Sequence, residues 1–217
     1  MGGDAVLNRV ATLACALTLS AGPALAHPHV WVDVRSQLEY GPDGALTGVR
    51  HVWTFDEGFS AFALQGLTEG EGGKPSDTVL KELAQTNIDS MKEFDYFTFA
   101  QRGKEKLAFA TPRDYGLTYD GTALTLHFIL PLAKPIASAG TTTLDVYDPT
   151  YFVAFALADE NPVKLEAAPK GCTLGLHRPD PAVGGSTQTL SESFFNALTT
   201  SSQFGSQFAN RATVTCP

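Results

Sequence analysis

An α+β domain built mainly on antiparallel sheet is what this sequence predicts, and three patterns predict it. From His29 onward, apolar and polar side chains alternate over two runs that flank a Gly-Pro-Asp-Gly turn. Ser76 to Lys92 carries apolar residues at helical spacing. The second half breaks into short runs rich in branched and aromatic residues, separated by turn signals.

Taken in order, the chain opens on a segment with one positive charge, Arg9, then an apolar run from Val10 to Leu19, then Ser20-Ala-Gly-Pro-Ala-Leu-Ala26. These are the parts of a secretory leader with a small-residue cleavage site at Ala24-Leu25-Ala26, and the run is short of the roughly 20 apolar residues that span a bilayer. The expectation is a removed leader over 1–26 and a single exported domain over 27–217, located in the periplasm. Cys15 lies inside that leader, and Thr12 stands where a lipoprotein signal usually has Leu, so a lipid anchor is only a minor alternative. Cys172 and Cys216 then form an even pair in an oxidising compartment and are expected to make one disulfide. That bond would close a long loop, fasten the C-terminal tail and contribute about 4 kcal/mol. Two buried thiols are the alternative.

The exported part is long enough for one domain with its own core, and 43% hydrophobic residues with 14 Phe is globular composition. Asp4 and Arg9 cancel within the leader, so the net charge of -8 belongs to the exported domain. That charge excludes nucleic acid as a partner class and suits a surface that meets cations.

The first strand places Val30, Val32, Val34, Leu38 and Tyr40 on one side and His29, Trp31, Asp33, Arg35 and Glu39 on the other. Gly41-Pro-Asp-Gly44 turns the chain into a second alternating run, Ala45 to Phe55. Pairing Gly41 with Gly44 sets Val30 opposite Phe55, Val32 opposite Trp53, Val34 opposite His51, and His29 opposite Asp56, unless a bulge intervenes. A short helix is expected from Asp56 to Leu67, then a glycine-rich loop, Glu69 to Gly73. In the longer helix, Ser76 to Lys92, Val79, Leu80, Leu83, Ile88 and Met91 form the stripe that packs on the sheet. The aromatic run Phe94 to Phe99 is expected to enter the core.

Strands are expected at 106–110, 115–119, 123–130, 142–147, 152–157 and 172–177. Asp120-Gly121 reads as a hairpin turn, setting Leu117 against Leu124, Tyr115 against Leu126 and Asp114 against His127. A connector at 179–187 leads to a terminal helix from Leu190 to Leu198, capped near Ser191.

Chemistry concentrates at the new terminus. After leader removal His27 offers an α-amine and an imidazole, with His29 two positions on, a donor set that favours zinc, copper or nickel. Pro28 rules out the square-planar copper site that needs a deprotonated second-residue amide, because proline has no N–H. Carboxylates from the body would complete the site, with Asp56 placed best by the hairpin register. The competing reading leaves His27 and His29 in a frayed terminus. His51 falls on the apolar side and reads as a core histidine ahead of a ligand. Asp148, in the string Asp145-Val-Tyr-Asp-Pro-Thr-Tyr-Phe152, reads either as a turn former or as a ligand. His127 with Asp114 reads as a cross-strand polar pair ahead of a dyad. Thr68 to Val79 lies between two helices like a calcium loop, with Gly73 in place, but Thr68, Gly70, Gly72 and Val79 stand where that loop needs oxygen ligands. Calcium is not expected. No nucleophile elbow, phosphate loop or paired-cysteine motif is present, so no enzyme activity is expected.

Four strings, His27-Pro-His-Val-Trp31, Trp53-Thr-Phe-Asp-Glu57, Phe94-Asp-Tyr-Phe-Thr98 and Val146 to Phe155, together resemble the family called domain of unknown function 1007. The resemblance runs through Gly171-Cys172 and Gln207 to Cys216, essentially all of the exported chain. It implies a periplasmic component of an uncharacterised transport system associated with nickel/cobalt-type permeases. The expected function is therefore a metal-binding accessory or substrate-binding protein that captures or delivers a divalent transition metal for an inner-membrane permease, touching the membrane only through that partner. An extracytoplasmic interaction module that docks on a permease without metal is the alternative. A hydrolase or oxidase built on the same ion comes third and would require an open coordination position.

Overall fold

The computed structural model describes residues 27–67, 74–180 and 190–217. The expected leader, the glycine-rich loop with the first half of the calcium-like segment, and residues 181–187 of the expected connector lie outside the described residues.

Eleven strands and three short to medium helices are described, and most of their inward faces meet in one main core, with a smaller aromatic cluster beside it. The first strand, Val30–Tyr40 (β1), alternates buried and solvent-facing residues along its length, as the period of a strand requires. It pairs antiparallel with Leu46–Phe55 (β2). The turn between them is closed by Gly44 N–H donating to the Gly41 carbonyl at 2.9 Å, with Gly44 at φ 77°, a conformation that glycine adopts without steric penalty. The register differs from the expected one by two residues: Val32 faces Phe55, Val34 faces Trp53, Ser36 faces His51 and Leu38 faces Val49. The bulge between Glu39 and Tyr40 makes one residue of the shift, and the turn makes the other, because Gly41 N–H donates to Ala45 O. A shift of two keeps each side chain on its own face, so the apolar pattern is satisfied equally by both registers.

Helix α1, Glu57–Ala63, follows directly, and α2, Asp77–Met91, is capped by Ser76, whose hydroxyl accepts from Val79 N–H. Ala84, Ile88 and Met91 are buried, with Leu80 and Leu83 packed beside them. After α2 the chain makes a tight 3-10 bend over Lys92–Phe97, with Asp95, Tyr96 and Phe97 all left-handed, at φ of 52°, 53° and 51°. Tyr96 and Phe97 enter the core there.

The next strands are Thr98–Arg102 (β3), Glu105–Leu107 (β4), Arg113–Tyr119 (β5), Leu124–Ile136 (β6) and Gly140–Val146 (β7). Val153–Leu157 (β8), Val163–Glu166 (β9), Thr173–His177 (β10), the short helix Glu192–Asn196 (α3) and Asn210–Cys216 (β11) complete the chain. In the β5–β6 hairpin Leu117 faces Leu126 and His127 faces Gly116, so the expected Asp114–His127 pair does not form. Asp120 accepts from the Thr122 and Ala123 N–H groups, which widens the turn and moves the register by two.

Two sheets result. One runs β5-β6-β2-β1-β8, with β9 also on β1, and the other runs β10-β11-β7-β3-β4. Most pairings are antiparallel, but β8 and β9 both lie parallel to β1, end to end along its free edge. That pairing, and the strands β3, β9 and β11, were not foreseen from local pattern. The sheets are joined through Asn210 of β11, whose buried amide donates to Phe155 O at 2.6 Å and accepts from Leu157 N–H at 3.2 Å on β8. The Cys172–Cys216 disulfide fastens the last strand to the start of β10. Among the described residues no helix is long and apolar enough to cross a membrane.

Candidate metal centre

β1 begins beside the turn that precedes β8. Asp148 makes that turn: its Oδ1 accepts from the Thr150 N–H and hydroxyl, both at 2.8 Å, and its Oδ2 from Val153 N–H at 2.9 Å. This sets Phe152 O to accept from His29 N–H at 2.9 Å, laying residues 27–29 across the turn. Helix α3 arrives from the far end of the chain. Ser191 caps it, accepting from Phe194 N–H, and its first residue is Glu192. Phe195, one helical turn along, belongs to a buried aromatic group with Tyr151 and Phe208.

These pieces converge on His27. Its ring stacks on Phe195, with centroids 4.0 Å apart and planes 20° apart, and meets the His29 ring edge-on at 4.5 Å. His29 in turn leans on Phe152 at 4.7 Å. The Nε2 atom of His27 lies 3.6 Å from Glu192 Oε2. One donor atom from each of His27, His29 and Glu192 can be chosen so that all three lie within 4.8 Å of one another.

The His27 side chain is only 6% exposed, against 50% for Glu192. Both of its ring nitrogens are buried without a hydrogen bond of good geometry, although the Tyr151 main chain lies close by. Burial, and then the neighbouring His29, hold the His27 pKa below the usual histidine value. Glu192, the Tyr151 main chain and Asp148 oppose that shift more weakly. The ring is thus neutral at pH 7, with a lone pair free to bind a Lewis acid.

Two imidazoles and a carboxylate are donors that zinc, copper and nickel accept. Bonds of about 2.0–2.1 Å in a tetrahedron put donor atoms about 3.4 Å apart. The His27–Glu192 pair, at 3.6 Å, is slightly wider than that, the three donors all lie within 4.8 Å, and half-exposed Glu192 has room to close in. The donor set therefore fits a divalent transition metal.

Of the other residues expected here, Asp56 is directed elsewhere. It caps α1, its Oδ1 accepting from Phe59 N–H and its Oδ2 from Trp31 N–H, both at 2.8 Å. The two-residue register shift explains this, because it sets Asp56 beside Trp31 and away from His29. His51 is fully buried, with Ser36 Oγ 2.9 Å from Nδ1 and Thr98 Oγ1 3.2 Å from Nε2. The Thr98 hydroxyl donates to Tyr96 O at 2.9 Å, which uses its one hydrogen. His51 therefore donates from Nε2 to Thr98 and accepts from Ser36 at Nδ1, leaving no lone pair for a metal. Asp148 is 3% exposed and spent on its turn, yet it borders the same cavity as His27. Glu192 was missed by sequence reasoning. The helix cap at Ser191 was legible, but nothing local says that this cap faces the first residues of the domain.

Comparison with known proteins adds kinship. A protein of Haemophilus influenzae, described as an uncharacterized protein, is 32% identical over 212 residues, covering 94% of this chain and 98% of its own length. Residues 12–216 match the model of one family, which covers both sheets, the turn at Asp148 and all three donors. The chain belongs to that family, described as protein of unknown function (DUF1007).

Proposed function

We propose that this protein is a periplasmic metal-binding accessory protein, a carrier that captures or hands over a divalent transition metal, zinc, copper or nickel, for an inner-membrane permease. The observation that carries this is the convergence of His27, His29 and Glu192 around an imidazole whose two nitrogens are buried and make no hydrogen bond of good geometry. A buried polar atom without a partner costs about 1–3 kcal/mol, and binding an ion at one of these nitrogens removes that penalty there.

The test is isothermal titration of protein beginning at His27 with zinc, copper(II) and nickel. One site is expected, weakened at least about tenfold by His29→Ala and by Glu192→Gln, since each removes one of few ligands. Affinity that is undetectable, or unchanged in both variants, sinks the proposal. A metal-independent docking module is the second reading, favoured by Trp31 and Phe152, large aromatic residues about half exposed beside the site. Crosslinking to the permease that persists in chelator and is lost in Trp31→Ala would favour it.

A further inference from the structure

We infer that the cargo is a metal complex rather than a bare ion, the metal arriving with a small heteroaromatic carboxylate whose ring occupies a cavity beside His27. This rests on the metal-carrier reading and specifies its substrate.

Three observations lead there. Among the described residues the cluster supplies three side-chain donors, which leaves two positions of a five-coordinate shell for a guest that binds through one nitrogen and one oxygen. The terminal amine of a mature His27 does not fill the gap, because an amine chelates together with Nδ1 of its own ring, whereas Glu192 faces Nε2. A cavity of about 400 Å³ opens at His27, within the range of pockets that take small ligands. Its walls include the rings of Phe94, Phe97, Phe152 and Phe195, an apolar lining that a bare hydrated ion does not need.

The polar groups fit the same guest. Asn196 borders the cavity and lies four residues beyond Glu192, so both project from one face of α3. Its side-chain amide makes no hydrogen bond among the described residues and is free to donate to a carboxylate. Asp148, the acidic group on the wall, is already satisfied by three donors and so repels an incoming carboxylate less than a bare acid would. A flat aromatic body stacks on phenylalanine faces, while an aliphatic chelator of the same bite gains nothing from them.

The experiment titrates protein beginning at His27 with zinc alone, zinc premixed with pyridine-2-carboxylate, and zinc premixed with glycinate, which closes the same five-membered chelate through one amine nitrogen and one carboxylate oxygen but has no aromatic ring. The pyridine complex is expected to bind at least about tenfold tighter than zinc alone, and the glycinate complex no more than about twofold tighter, the difference being one stacked ring. The ratio of complex to zinc-alone affinity should fall toward one in Phe94→Leu and in Asn196→Ala, each measured against its own zinc-alone value. Zinc that binds alone while pyridine-2-carboxylate merely competes for it overturns this inference and leaves the carrier function standing. So does an equal gain from glycinate. Failure of zinc to bind in any form overturns both.

Discussion

His51 gives this fold a pH dependence that a single substitution can isolate. The ring is completely buried between Trp53 and Phe128, and burial pushes its pKa from 6.5 down to about 3. In the unfolded chain it titrates near 6.5, so below that value the unfolded state binds a proton that the folded state refuses. Its share of stability is fully present above pH 6.5, is lost as pH falls toward 3, and is constant below that. The slope is about 1.4 kcal/mol per pH unit, which amounts to about 3 kcal/mol between pH 6.5 and about pH 4.5. His51→Gln keeps a donor toward Thr98 and an acceptor toward Ser36 but has no proton to gain. Urea unfolding of both proteins at about pH 7.5 and about pH 4.5 separates this contribution from the carboxylates, which titrate alike in each. Wild type should lose about 3 kcal/mol more than the variant over that interval. An equal loss in both proteins would show that His51 is not held neutral, and the assignment of its two hydroxyl partners would fall with it.

Three further outcomes are expected. Replacing Cys172 and Cys216 by Ser opens a link between residues 44 apart, and should lower unfolding stability by about 4 kcal/mol in a denaturant titration. Asn210→Leu removes the buried amide that joins β11 to β8 and leaves Phe155 O without that donor and Leu157 N–H without that acceptor. A loss of about 3 kcal/mol or more by calorimetric melting is expected, and a loss under about 1 kcal/mol would show that the sheets do not depend on this join. Gly205→Ala puts a Cβ 1.7 Å from Asp148 O, a backbone clash that no side-chain rotation relieves. It should cost about 3 kcal/mol or more and weaken zinc uptake as well, because the displaced turn carries Phe152 against His29.

Much of the fold was legible because it is written in period. Alternation in β1 and β2, the helical stripe of α2, the Ser191 cap and the cysteine pair each depend on residues close in sequence, or on a count, and each appears in the structure as an element or a bond. The buried place of His51 was legible for the same reason: it shares a face with Val49 and Trp53. Register was not. A one-residue bulge at Glu39 added to a turn one residue wider, or the wider turn at Asp120, moves partners by two while leaving every face intact, so hydrophobic pattern is blind to it. That blindness sent Asp56 to the wrong neighbour.

The sequence by itself determined the class of the fold, the faces of its strands, the disulfide pair and the two histidines that open the described chain. Only the tertiary structure decided which carboxylate joins them. Glu192 reaches His27 because β8 lies parallel to β1 along its edge, and because the aromatic group of Tyr151, Phe195 and Phe208 holds α3 against the first residues. Parallel neighbours are joined by long crossovers rather than tight turns, so no local signal marks the pairing, and the energy that selects it comes from burying aromatic surface contributed by distant segments.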